Sequence, residues 1–135
     1  MIHAFGMAIA LIASPIAAEP AVLAPVVQAA AICDTRWTDS ARKREVPVRI
    51  RMPEGSARVP VILFSHGLAG NLDAGTRWGE AWARAGFAVI HLQHPGSDRS
   101  IIAGGDVRGA MSGEQLIARG EDVRFALDEL GRRKR

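Results

Sequence analysis

Val61-Ile62-Leu63-Phe64-Ser65-His66-Gly67-Leu68-Ala69-Gly70 is an apolar run that ends abruptly in a His-Gly turn, with a further small residue close behind. Four large apolar side chains in a row, with no polar alternation, describe a strand buried on both faces. The stretch from Val59 to Ser65 is therefore expected to be the central strand of a sheet covered by helices on both sides.

The residues downstream extend this into a unit. Gly67, Gly70 and Gly75 punctuate a loop, and Thr76 is the expected N-cap of a helix running to about Ala85. Trp78, Trp82 and Ala85 share its expected buried face, and Gly86 ends it. Phe87 to Leu92 is a second buried strand, stopped by Pro95 and Gly96. Strand, helix and strand in close succession predict a βαβ unit with parallel strands and a right-handed crossover.

Upstream, Arg44 to Met52 alternates with period two. Val46, Val48, Ile50 and Met52 fall on one face, and Pro47, Arg49 and Arg51 fall on a face expected to be wet. Further on, Gly104 to Gly109 reads as a flexible polar connection. Ser112 and Gln115 have capping-box spacing for a helix over Gln115 to Leu130, with Leu116, Val123, Leu127 and Leu130 on one stripe and Gly131 as its C-cap. Together these elements predict an α/β fold, a mostly parallel sheet with flanking helices.

Composition limits the chain to one ordinary globular domain: 135 residues, 48% hydrophobic and 23% charged. The pI near 10.0 raises nucleic-acid binding. The basic residues are nevertheless scattered around one strand (Arg42, Lys43, Arg44, Arg49, Arg51) or gathered in the run Arg132 to Arg135, and aromatics are only 5%. No base-stacking or zinc-finger spacing accompanies them, so no nucleic-acid partner is expected. The single cysteine, Cys33, has no second cysteine to pair with. Before Arg36 there is no Lys or Arg. The apolar Ala4 to Ile12, followed by the small residues Ala17 and Ala18, reads as an export signal too short to span a bilayer. Residues 1–32 are thus expected to be a signal and Ala/Pro-rich leader without a stable membrane anchor, and residues 33–135 the folded part. The location that follows is periplasmic or secreted if the signal operates, and cytoplasmic otherwise.

The string Val61 to Gly70, followed by Trp78, Trp82, Gly86-Phe87-Ala88-Val89-Ile90 and His94-Pro95-Gly96-Ser97-Asp98, resembles the α/β-hydrolases grouped as dienelactone-hydrolase-like and platelet-activating-factor-acetylhydrolase-like. The resemblance runs from about Arg44 to Leu130 and implies the N-terminal, incomplete part of an α/β-hydrolase fold. It implies a serine-type hydrolase of small carboxylic esters or lactones that needs no cofactor and no metal. Leu68 then donates its backbone amide to the oxyanion, with His66, Gly67 and Gly70 supporting the turn. Gly67 is expected to take a strained backbone angle, Gly70 to let the loop pass near substrate, and His66 to brace the turn by hydrogen bonds.

The resemblance also implies a Gly-x-Ser-x-Gly elbow, which this sequence lacks. Gly109-Ala110-Met111-Ser112-Gly113 is the nearest imitation, but Ser112 follows no predicted strand and reads as an N-cap; Ser65 and Ser97 also lack the context. Nucleophile, acid and base are therefore expected beyond Arg135. The alternative is an inactive, truncated or degenerate hydrolase-like chain. Without the elbow strand, Val61 to Phe64 loses a neighbour, and the isolated chain is expected to be unstable as a soluble monomer. A metal site would recruit His66, His91, His94 and Asp98, but His91 and His94 are three apart on an extended segment and point to opposite faces. Gly67, Gly70 and Gly75 match neither dinucleotide-binding nor P-loop spacing.

Overall fold

The computed structural model describes residues 29–55 and 58–133. The export segment expected over residues 1–32 lies outside the described residues as far as residue 28. Strand β1 (Ala29–Asp39) already occupies the last positions of that segment. The elements that follow are β2 (Arg44–Pro53), β3 (Val61–Ser65), α1 (Thr76–Arg84), β4 (Ala88–Leu92), α2 (Ser100–Gly104), α3 (Val107–Ala110) and α4 (Gly113–Arg133). The chain is an α/β protein with a four-stranded mixed sheet in the order β1-β2-β4-β3. Among the described residues no helix is long and apolar enough to cross a membrane.

The βαβ unit forms as its apolar runs predict. β3 and β4 are parallel, with Leu63 opposite Ile90 and Ser65 opposite Leu92. Gly86, at φ 92°, turns the chain out of α1, and its N–H donates to Ala83 O at 3.0 Å. Two expectations for the sheet are corrected. It is not mostly parallel, because β1 pairs antiparallel with β2 and β2 antiparallel with β4. β3 is not central; it stands at the edge, with Val61 36% exposed. The fully buried strand is β4, whose five residues all lie in the interior because it has neighbours on both sides and helices on both faces.

Each face has its own chemistry. On one, Trp37, Val46, Val48, Ile90 and Leu92 pack with Ala126, while Val123, Phe125 and Leu130 of α4 close over them. Each fully buried aliphatic side chain there contributes roughly 1.5–3 kcal/mol relative to exposure. On the other, α1 approaches through Gly79 and Ala83, its buried residues. A Cβ at Gly79 would collide with His91 Nε2, so only glycine lets the helix come this close. The face expected to be wet is thus dry at Arg51, which is 2% exposed beneath α1.

Helix rotation departs from the apolar pattern. Trp78 is 62% exposed and Ala85 is exposed. Trp78 and Trp82 instead overhang the sheet edge, with ring centroids 6.3 and 6.2 Å from Phe64. On α4, Leu116 and Leu127 are 71% and 56% exposed, whereas Asp122 and Ala126 face the sheet. Asp122 can point inward because arginines and a histidine meet it there, and that sets the rotation. Ser112 caps α4 as expected, its Oγ accepting the Gln115 N–H at 3.3 Å. Gly131 does not end the helix, which continues to Arg133. The N-cap position of α1 belongs to Gly75 at φ 72°, and the Thr76 hydroxyl donates to Asp73 O at 2.7 Å. The connection expected to be flexible, Gly104 to Gly109, takes in the last residue of α2 and most of α3, which are separated by Gly105 at φ 73° and by Asp106, which accepts the Gly109 N–H at 2.8 Å.

Candidate functional site at the ends of strands β3 and β4

Residues 66–70 leave the C-terminal end of β3 and run beside residues 93–99, which leave β4. Two backbone bonds tie the segments together: Ala69 N–H to Ser97 O and Arg99 N–H to Gly70 O, both at 2.9 Å. His66, 1% exposed, supplies a third link, since its Nε2 accepts the His94 backbone N–H at 3.1 Å. An amide can only donate, so Nε2 is unprotonated and the proton sits on Nδ1, which donates to Gly67 O at 2.6 Å. Burial, helped by neighbouring His94 and Arg119, holds the ring below its ordinary imidazole range, in keeping with this neutral tautomer. His66 therefore braces the turn, as its sequence context predicts.

The glycines act differently from expectation. The strained backbone angle belongs to Ala69, at φ 59°, and not to Gly67. Gly70 makes room for the brace: a Cβ there would stand 2.7 Å from His66 Cβ and 2.8 Å from its ring Nδ1. Leu68, 45% exposed, sits at the tip. Among the described residues its N–H enters no hydrogen bond, while Ala69 and Gly70 on its far side are both engaged. The turn from His94 to Asp98 packs inward, with His94, Ser97 and Asp98 buried. Asp98 accepts from Gln93 Nε2 at 2.7 Å and from Ser100 Oγ at 2.5 Å.

A chain of side chains that the sequence reading did not connect runs beneath this turn. Ser65 Oγ lies 2.8 Å from His94 Nε2, and His94 Nδ1 lies 2.9 Å from Asp122 Oδ2. Asp122 is fully buried. Burial alone would raise its carboxyl, but the bonds from His94 and from Arg44 outweigh that and hold it down at about 2. Arg44 contacts it through Nε at 2.8 Å and Nη2 at 3.0 Å, and Arg42 Nη1 lies 2.9 Å from its Oδ1. An ionised carboxylate only accepts, so His94 Nδ1–H donates to it, which turns Nε2 toward the Ser65 hydroxyl. Arg119 reaches from α4 to donate to Ser65 Oγ at 3.2 Å and to His66 O. Of the other basic residues around β2, Arg49 is paired to Asp34 at 2.7 Å and Asp73 at 2.6 Å, whereas buried Arg51 has no carboxylate partner among the described residues and reaches only the Thr76 hydroxyl, at 3.4 Å.

The sites weighed from sequence separate in space. His91 lies on the α1 face, its Nδ1–H donating to Ala74 O at 3.1 Å, while His94 lies on the α4 side. Among the described residues no three His, Cys, Asp or Glu side chains gather as metal ligands would. Ser112 remains a helix cap, and Ser97 Oγ donates to His94 O at 3.4 Å. The sequence carried no signal for this chain, because the apolar stripe of Leu116, Val123, Leu127 and Leu130 turned Asp122 away from the core, whereas the structure buries Asp122 and Ala126. No protein-family model matches this chain, and no curated protein or solved structure matches it.

Proposed function

We propose that this chain carries the oxyanion-hole part of a serine-type hydrolase of carboxylic esters or lactones, within the N-terminal half of an α/β-hydrolase fold. The observation that supports the reading is the N–H of Leu68, an exposed residue, which has no hydrogen-bond partner among the described residues and sits at the tip of a turn that His66 braces. Acyl transfer builds negative charge on the carbonyl oxygen, and a donor already fixed in place stabilises that charge without reorganising. His66 and Gly70 position the donor. On this reading the strand of an elbow nucleophile would pair with the outer side of β3, which has no partner among the described residues.

The test is p-nitrophenyl acetate hydrolysis by the chain expressed together with whatever coding sequence follows the Arg135 codon. Leu68→Pro removes the N–H and is expected to lower kcat by about 100- to 1,000-fold with the sheet intact by circular dichroism. Undiminished turnover in that variant, or none in the parent, overturns the reading. A second reading, a hydrolase-like chain without turnover, is favoured by the role of Ser112 as a helix cap in the one segment that imitates an elbow.

A further inference from the structure

We infer that Ser65 is itself an acyl-accepting nucleophile, with His94 as its general base, Asp122 as the positioning residue behind that base, and Arg119 as the cation on the reacting oxygen. The inference goes beyond the function proposed above, which puts the nucleophile after Arg135, and does not rest on it.

The geometry carries the argument. A nucleophilic hydroxyl needs a base within hydrogen-bond reach and a third group that fixes the base's orientation and tautomer. Ser65, His94 and Asp122 meet both requirements, at 2.8 and 2.9 Å. Ser65 is exposed, so a substrate can reach it, whereas His94 and Asp122 are fully buried and cannot swing away. A serine oxygen has one proton and two lone pairs. The proton goes to His94 and one lone pair to Arg119 at 3.2 Å, which leaves one lone pair free to attack. The guanidinium also favours negative charge on Oγ as the proton leaves.

Two features make the arrangement more than a brace. His66 and the two backbone bonds already hold the turn, so Ser65 is not needed to anchor it. Asp122 already has two arginine partners, yet the tautomer it imposes on His94 turns an acceptor nitrogen toward an exposed hydroxyl.

The step takes a small activated carboxylic ester. Ser65 Oγ bonds to the carbonyl carbon, the Ser65 proton passes to His94 Nε2, and the carbon–oxygen bond to the leaving alcohol breaks. That alcohol takes the proton from His94. Water then attacks the acyl carbon and gives a proton to His94, the bond from that carbon to Ser65 Oγ breaks to release the carboxylic acid, and His94 returns the proton to Oγ. The charged and titratable groups facing His94 are Asp122, with Arg42 and Arg44 behind it, His66 at a centroid distance of 5.2 Å, and Arg119 across Ser65.

The test uses the 135-residue chain at dilute concentration, with an alkyl fluorophosphonate as probe and peptide mass spectrometry as readout. Labelling joins Ser65 Oγ to phosphorus and expels fluoride. Ser65 is expected to label at least about 100-fold faster than Ser97, Ser100 or Ser112 in the same molecule. Ser65→Thr should retain the adduct and Ser65→Ala lose it. His94→Gln keeps hydrogen-bonding groups in place but removes the base. It should slow labelling by about 100-fold or more.

No adduct on Ser65 while β4 amides remain protected from exchange overturns the inference. So does an adduct that forms equally fast in His94→Gln. A Ser65 adduct without ester turnover in the longer protein supports the inference while counting against the function proposed above. Ester turnover undiminished by Ser65→Ala but lost in Leu68→Pro does the reverse.

Discussion

The Nε2 of His66 accepts the backbone N–H of His94 at 3.1 Å, joining the turns that leave β3 and β4 through a buried imidazole. The contact ties the two turns to each other and fixes the His94 backbone beside the end of β3.

Gly70→Ala tests the contact from the side. The new Cβ would stand 2.7 Å from His66 Cβ, so the ring or the turn must move. We expect a loss of about 1–3 kcal/mol, as for other overpacked sites. Faster amide exchange at Ala69 and His94 than in the parent, with β2 unchanged, is the readout. Unaltered exchange there would show that the turn does not need the His66 ring.

Asp122→Asn removes the carboxylate that Arg42, Arg44 and His94 share. Breaking a buried pair by deleting one partner typically costs about 3–5 kcal/mol, since the remaining charges lose their counterion. Urea titration should show a loss of that order. A loss under about 1 kcal/mol would mean that water reaches these arginines.

Acid should destabilise the protein in two stages. Burial, with the Arg51 guanidinium beside it, lowers His91 from 6.5 to about 4. The folded state therefore binds fewer protons than the unfolded chain in this window. Stability is full above pH 6.5 and declines as the pH falls to about 4, by roughly 3 kcal/mol at most. Asp122, lowered from 3.8 to about 2, adds a second decline below pH 4. Denaturation midpoints measured in steps from pH 7.5 to 3 should follow this course. His91→Phe should reduce the upper stage and leave the lower one, what remains of the upper stage falling to His66, which burial also lowers; an unchanged upper stage in that variant would assign it wholly to another group.

Ala69 holds φ 59° without being glycine. The left-handed region costs an L-residue with a Cβ roughly 1–2 kcal/mol, and glycine's greater freedom when unfolded returns part of that. Ala69→Gly should stabilise the chain by up to about 1 kcal/mol, read as a higher urea midpoint. A lower midpoint would show that the Ala69 methyl makes contacts worth more than the strain.

The outer side of β3 has no partner strand among the described residues, and Val61 on β3 and Leu116, Ile117 and Leu127 on α4 are exposed apolar side chains. Such an edge promotes association. Sedimentation should show mass rising with concentration, and Val61→Lys, a charge on the edge strand, should reduce it. A strictly monomeric parent at all concentrations would contradict this.

Local rules made part of this protein legible. The apolar runs of β3 and β4, the glycine that ends α1 and the serine that caps α4 follow from periodicity and turn chemistry, which act between residues a few positions apart. The bracing role of His66 was legible too, because a histidine beside a glycine at a strand end has backbone within reach. Strand order was not. β1 mixes Asp34, Thr35 and Arg36 with Trp37 and lacks a clean apolar face, and nothing local says that β4 inserts between β2 and β3. The tertiary structure decided the rotation of α4, because a buried Asp122 can be satisfied only where Arg42, Arg44 and His94 converge. It also joined Ser65 to His94 and His94 to Asp122, 29 and 28 positions apart. Those bonds exist because the parallel pairing of β3 with β4 brings both strand ends under one helix, a condition set by the packing of the sheet as a whole.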